Sequence, residues 1–227
     1  MNANRRHDTL KTMVVTIILT VITMAVCAQD FLSTKTVTLK KTSGKASYSA
    51  SVEFPTDGSP AVLKEIMQWM NIVLETDGEN RRDFQAILQN SCDNFFGYGE
   101  DWKRDIVIER DYEDSRIVTF TSQVTDTDDE KWIAEDCATF SKKDGHRITL
   151  DEIFRCGEDD IKYLMWEYRD DISLDVDESA GLAPINGGFI DGWVLVTSPA
   201  HNATSRIFRL RYEEIVSYLR KHDEGYF

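Results

Sequence analysis

The sequence predicts an α+β fold in which a mostly antiparallel sheet packs against helices. Strand-like and helix-like segments come in segregated blocks rather than in regular alternation, and such blocks are typical of α+β proteins. Alternating apolar residues predict half-buried strands, whereas apolar residues at three- and four-residue steps predict helices. An Asp-Gly pair at 144–145, between two alternating runs, predicts a tight hairpin and so supports antiparallel pairing.

Residues 1–28 are predicted to be a secretory signal peptide. Three basic residues precede an apolar run over 13–28, and a basic segment, an apolar segment and small residues at the end form the signal pattern. The run is shorter than the roughly 20 residues that span a bilayer. We therefore expect cleavage after Ala28 and a secreted or periplasmic protein. Lipidation of Cys27 and an uncleaved anchor are the alternatives.

The remaining chain, 29–227, is expected to form a single acidic domain. The whole sequence carries a formal charge of −14, and because 1–28 holds three basic residues and one acidic residue, the mature chain carries −16. Nucleic acids and anionic membranes require a basic surface, so neither is expected as a partner. Membrane contact is expected only through the signal region. The charge would tolerate or attract a cationic partner, although acidity that only aids solubility is the preferred interpretation.

Two strands and two helices are predicted in the first block, 29–100. The strands lie within 33–54 around the turn "TSGK", and the face of the second strand is Ala46, Tyr48, Ala50, Val52 and Phe54. Ser59 and Pro60 suit the cap and first position of a helix, and a second helix is expected at about 81–96. The predicted buried stripes are Leu63, Ile66, Met67, Met70, Val73 and Leu74 in the first helix, and Phe84, Ile87, Leu88, Cys92 and Phe95 in the second.

A strand meander, a helix, a closing strand pair and a final helix are predicted in the second block, 101–227. The expected strands are 104–112, 115–124, 131–141, 146–149, 189–199 and 203–211. A helix is expected to begin near Leu150 with an interruption at Gly157, and its inward residues would be Ile161, Leu164, Met165 and Tyr168. An exposed loop is predicted at 173–188. The last helix, 212–221, would turn Tyr212, Ile215, Val216 and Leu219 inward.

The segment "HRITLDEIF" has the pattern of a helix start. Thr149 is followed three residues later by Glu152, which predicts a capping box, in which each side chain bonds to the backbone of the other residue. Ile148 and Ile153 stand where a hydrophobic staple would place them. Each of these residues has a structural role, and the pattern does not require a catalytic one.

This same segment resembles the "tGk.ltLddlF" stretch of the RsiV-like domain, a domain of unknown function. The domain occurs in extracytoplasmic anti-sigma factors and beside some peptidoglycan deacetylase domains. The stretch "SYSASVEFP…VLKEIMQWMNIVLE" resembles its "yP" run and "iN..i" helix. The end, "GWVLVTSP…RIFRLRYEEIVSYL", resembles its closing strand pair and helix. The similarity covers nearly the whole mature chain in the same order.

The resemblance implies an exported, non-enzymatic binding module of the bacterial cell envelope. RsiV-type proteins bind lysozyme, which implies a cationic protein or a cell-wall component as partner. The chain departs from the family in two predicted loops, where "TDTDDEKW" and "SPAHNATS" replace the family's motifs. These loops supply the candidate binding residues Asp126, Asp128, Asp129, Glu130, Trp132, His201 and Asn202.

Catalytic and metal-binding motifs are absent from the sequence. It contains no HExxH, GxSxG, P-loop or GxGxxG pattern, so we expect no catalytic residues, no metal and no cofactor. The acidic stretches 126–130 and 175–178 could offer oxygen ligands to calcium, but a solvated acidic loop is the preferred interpretation. The alternative function is a hydrolase that uses such carboxylates on cell-wall glycan.

Three cysteines remain after cleavage. Cys92 lies on a helical stripe and is expected to be a packed thiol. A disulfide between Cys137 and Cys156 is an alternative that an oxidising compartment would allow, although an odd number of cysteines cannot pair completely.

Overall fold

The computed structural model describes residues 31–77, 83–98, 101–168, 181–199 and 205–220. The predicted signal peptide with Cys27 and the candidate residues His201 and Asn202 lie outside these ranges, as do the acidic residues at 175–178.

Within these ranges, eight strands form one mixed sheet in the order β1-β2-β3-β4-β5-β8-β7-β6. Five of the seven strand pairs are antiparallel, while β2/β3 and β5/β8 are parallel. The α+β class with a mostly antiparallel sheet is therefore confirmed. The strands are β1 (Thr34–Ser43), β2 (Ala46–Pro55), β3 (Lys103–Glu113), β4 (Ile117–Thr127), β5 (Lys131–Ser141), β6 (Asn186–Ile190), β7 (Trp193–Pro199) and β8 (Ser205–Arg211).

The first hydrophobic core joins β1–β5 to helices α1 (Pro60–Val73) and α2 (Phe84–Gly97). The Ser59 hydroxyl caps α1 by accepting from the Val62 N–H at 3.3 Å, as predicted. All five predicted inward residues of β2 are buried, and so are most of the predicted helix-stripe residues. Alternation and helical spacing identified this core correctly, because each element buries one face.

The second core joins β6–β8 to the short helices α3 (Leu150–Ile153), α4 (Glu158–Glu167) and α5 (Tyr212–Ile215). The predicted capping box begins α3, where the Glu152 carboxylate accepts from the Thr149 N–H at 2.8 Å. Gly157 is the N-cap of α4 and separates this helix from α3, which confirms the predicted interruption. Among the described helices, none is long and apolar enough to cross a membrane.

The single strand predicted over 189–199 is wrong. A turn at Asp191 and Gly192 divides it into the antiparallel strands β6 and β7, and Gly192 adopts φ +74°. The predicted loop also contributes to β6, since Gly187 and Gly188 lie inside the strand. A Cβ at Gly188 would lie 2.8 Å from the Thr139 hydroxyl of β5, so this glycine permits a close approach between strands rather than a loop.

Two further predicted elements differ from the structure. Segment 146–149 is not a strand, because it pairs with β5 only through the bridge between Phe140 and Arg147. The last helix is shorter than predicted: α5 passes into a 3-10 turn, Val216–Tyr218. Leu219 then takes an extended conformation and bridges to Phe154, which leaves Val216 50% exposed.

The disulfide that the sequence left open as an alternative, between Cys137 and Cys156, is not formed in the structure. Cys137 and Cys156 are both free thiols. Cys137 is fully buried on β5, where its sulfur lies 3.4 Å from the Thr197 hydroxyl. Burial raises the pKa of the Cys137 thiol to about 12, so the sulfur is a packed thiol and not a reactive thiolate.

Candidate functional site

The predicted acidic residues lie at the tip of the β4–β5 hairpin. Asp128, Asp129 and Glu130 are exposed there. The Asp128 carboxylate accepts from the Glu130 N–H at 2.8 Å, and the Asp128 N–H donates to the Glu130 carbonyl at 3.1 Å. The turn is thus closed by its own residues, and β4 and β5 are paired from its base onward. The tip presents negative charge on a defined backbone.

Asp126 has a different role from its neighbours. Its two carboxylate oxygens each accept from the Arg104 guanidinium at 2.8 Å, and a third Arg104 nitrogen donates to Glu75 at 2.9 Å. Burial alone would lower the pKa of Arg104, but Asp126, and after it Glu75, raise that pKa overall. Asp126 therefore positions the hairpin and is already neutralised by Arg104.

Two tryptophans flank the hairpin tip. Trp132 is 43% exposed, Trp102 is half-buried, and their rings line a shallow cleft with Asp126, Asp128 and Glu130. An indole beside carboxylates suits a Lys or Arg side chain, which is attracted by both the ring face and the charge. Sequence reasoning missed Trp102. Trp102 directly precedes β3, and the antiparallel registers of β3 with β4 and of β4 with β5 bring it to the hairpin tip, a placement that no local pattern reveals.

A larger groove lies between β3–β5 and β7–β8. Its volume is about 670 Å³, within the range of about 300–1,000 Å³ typical of ligand pockets. The apolar part of its lining includes Val107, Ile133, Leu195 and Ile207, and the charged part consists of Glu109, Asp111, Glu135, Arg206 and Arg209. Sequence reasoning missed this groove because its residues come from separate strands that are distant in sequence.

Three of the charged groups in this groove are held by nearby atoms. Glu135 accepts from the Gln123 amide at 3.1 Å and from the Ile207 N–H at 3.2 Å. Arg206 donates to the Ile133 carbonyl at 2.8 Å, and Asp111 accepts from a threonine hydroxyl. The bonds from Ile207 to Glu135 and from Arg206 to Ile133 hold β8 against β5, where the backbone pairs at only one position, Ala134 with Ser205.

Comparison with solved structures identifies the fold. A DUF3298 family member from Bacteroides fragilis matches with TM-score 0.63 and 8% identity, covering 84% of this chain and 94% of that one. A DUF3298 family protein from Pseudomonas aeruginosa matches with TM-score 0.56 and 11% identity, covering 85% and 96%. The chain has a DUF3298-like fold. No family model matches the sequence, and no curated protein matches it.

In this DUF3298-like fold, a histidine bridges the turn after β5 to the start of α3. The His146 ring nitrogens lie 2.6 Å from an Asp144 carboxylate oxygen and 3.0 Å from a Glu152 carboxylate oxygen. Burial alone would lower the pKa of His146, but the two carboxylates raise it overall. The bond from His146 also lowers the pKa of Asp144 to about 2. The cluster joins the turn to the capping box.

The His146 bridge predicts a pH-dependent stability. The His146 ring titrates near pH 6.5 in the unfolded chain and at a higher pH in the folded protein. The bridge therefore stabilises the folded protein fully below about pH 6.5, and this stabilisation is lost as the pH rises through the folded pKa. We expect the Tm difference between wild type and His146→Gln to be larger at about pH 5.5 than at about pH 8.5. The effect is modest because the side chain is 40% exposed. Thermal unfolding by circular dichroism measures it, and a difference that grows with pH would contradict it.

The described residues of the DUF3298-like fold contain no group of three histidine, cysteine or acidic side chains arranged as metal ligands. The hairpin tip thus offers the DUF3298-like fold a polar, aromatic contact surface, and the groove offers a partly enclosed one.

Proposed function

We propose that the chain is an exported, RsiV-like binding module of the bacterial cell envelope that binds a cationic protein, such as lysozyme, through the tip of the β4–β5 hairpin. The observation that carries the proposal is the cleft at this tip, which Trp132 and Trp102 line together with Asp128 and Glu130. Tryptophan is among the residues most enriched in the energetic hot spots near the centres of protein interfaces.

The geometry of the hairpin supports this role. The turn is closed by the Asp128 bonds, and the bidentate Asp126–Arg104 pair fixes its base, so little conformational entropy is lost on binding. A net charge of −16 on the mature chain would attract a basic partner over a Debye length and speed association. Salt should therefore weaken the complex.

The proposal predicts salt-sensitive lysozyme binding that depends on the hairpin tip. For the mature protein, we expect binding at about 30 mM NaCl that weakens at about 300 mM. Trp132→Ala should weaken binding about tenfold or more, because it removes an aromatic anchor. The double variant Asp128→Asn/Glu130→Gln should weaken binding mainly through a slower association rate. Surface plasmon resonance measures both effects.

A remote charge variant is the control for this experiment. Asp159 on α4 is fully exposed, so Asp159→Asn removes one charge outside the tip and should leave affinity nearly unchanged. Equal losses in Asp159→Asn and in the tip variants, or no binding at low salt, would overturn the proposal. Turnover of peptidoglycan fragments would instead favour the hydrolase. Export is tested separately, by finding Gln29 as the first residue of protein from the soluble extracytoplasmic fraction.

A further inference from the structure

The groove between β3–β5 and β7–β8 has opposite charges on its two sides. Glu109 and Asp111 line it from β3, whereas Arg206 and Arg209 line it from β8. Among the residues that the structure describes, the side chains of Glu109 and Arg209 form no hydrogen bond or ion pair, and both residues are exposed. Their charges are therefore available to a ligand that enters the groove.

The distance between these sides suits a short extended molecule. β3 and β8 are separated by β4 and β5 in the sheet, which is three strand spacings, or about 14 Å along the sheet. Charged side chains project inward from both sides and shorten this span. An extended tripeptide is about 10 Å long, so its two ends can reach opposite sides.

The surface between the two sides is partly apolar. β4 lines it with polar side chains, whereas Val107, Ile133 and Ile207 are half-buried apolar residues there. The apolar part accepts an aliphatic side chain and favours its removal from water. Glu135 adds a third carboxylate, but both of its oxygens already accept, from Gln123 and Ile207. Asp111 uses one oxygen to accept from a threonine hydroxyl, so Glu109 and the other Asp111 oxygen form the acidic side that a ligand meets.

We propose that this groove binds short peptides with free ends, the ammonium group at Glu109 and Asp111 and the carboxylate at Arg209. A molecule with opposite charges at its two ends matches the groove, whereas a uniformly cationic or anionic ligand would meet repulsion at one side. The groove shares no lining residue with the hairpin-tip cleft, so this site is independent of the proposed lysozyme contact.

The test uses the mature protein and the tripeptide Ala-Leu-Ala in three forms: free ends, N-acetylated and C-amidated. We expect either modification to weaken the Kd of the wild type about tenfold, since each removes one charged contact. In the Arg209→Gln variant, C-amidation should change the Kd little, whereas N-acetylation should still weaken binding as it does in the wild type. In the Glu109→Gln variant, N-acetylation should have a much smaller effect on the Kd, whereas C-amidation should still weaken binding as it does in the wild type. Calorimetry or amide shifts in NMR spectra provide the Kd values.

Arg155→Gln is the matched control, since Arg155 is an exposed arginine outside the groove, and it should behave as wild type. In the wild type, the free-ended peptide should shift the amide NMR signals of β3 and β8 but not those of the hairpin tip. This measurement does not depend on whether the variants fold. No saturable binding, shifts confined elsewhere, or equal sensitivity to both modifications in every variant would overturn the proposal. If the wild type binds lysozyme but not the peptide, the groove proposal is overturned and the proposed lysozyme contact is not.

Discussion

Gly145→Ala is expected to lower the free energy of unfolding by about 3–4 kcal/mol, because the added methyl group is strained by the backbone conformation and meets backbone atoms of α1. Gly145 lies at φ +85°, where an L-residue is strained by about 1–2 kcal/mol. Its Cβ would also lie 2.6 Å from the backbone carbonyl of Ala61 and 2.7 Å from the Val62 nitrogen. Backbone atoms in the first turn of α1 cannot move aside as a side-chain end can.

Gly44→Ala separates the two causes. Gly44 has a similar left-handed conformation, φ +63°, in the β1–β2 turn, but no atom lies within 4 Å of its Cβ position. This variant should lose only the conformational part, about 1 kcal/mol. Urea unfolding followed by far-UV circular dichroism gives both values. Equal losses in the two variants would show that the contact with α1 is relieved by a small shift of the turn.

The Gly145 turn shows which part of the fold can be predicted from sequence. The Asp-Gly pair predicts a tight turn, and the Thr149–Glu152 spacing predicts the helix start that follows it; both are local and both are observed. The contact of the turn with Ala61 joins residues 84 positions apart, and a local pattern contains no information about it. For the same reason, the local sequence predicts a loop at Gly187 and Gly188, where the structure has strand β6.

The candidate site also has a part that the local sequence predicts and a part that depends on contacts between strands. The acidic tip was predicted because Asp128, Asp129 and Glu130 are adjacent in sequence, and the structure places them together on an exposed turn. Asp126 belongs to the same run, yet its partner Arg104 comes from β3. The strand register that unites them is set by which faces the core buries. Partners across strands, and hence the groove, become visible only once that register is known.

Arg104→Met is the second substitution with a large expected effect, a loss of about 2–3 kcal/mol in the free energy of unfolding. The Arg104 side chain is only 11% exposed, lies over the Phe95 ring at 5.5 Å from its centroid, and bonds to both Asp126 and Glu75. Methionine preserves much of the apolar contact but leaves two carboxylates facing each other without a cation. Asp126 is 22% exposed, so water compensates only partly for the lost bonds.

The surface pair of Lys41 and Asp93 is the matched control. Its atoms are 3.1 Å apart, but the side chains are 45% and 57% exposed, so Lys41→Met should change stability by less than about 1 kcal/mol. Adding Asp126→Asn to Arg104→Met should restore part of the loss, because it removes one of the unpaired charges. Urea titration of the wild type, Arg104→Met, Asp126→Asn, their double variant and Lys41→Met measures these terms. If the double variant is as unstable as the two single losses added together, the charge pairing is not the cause. If the double variant is more stable than Arg104→Met, then Arg104 stabilises the hairpin by neutralising Asp126. In that case Arg104→Met should also bind lysozyme more weakly, because its hairpin tip is less ordered.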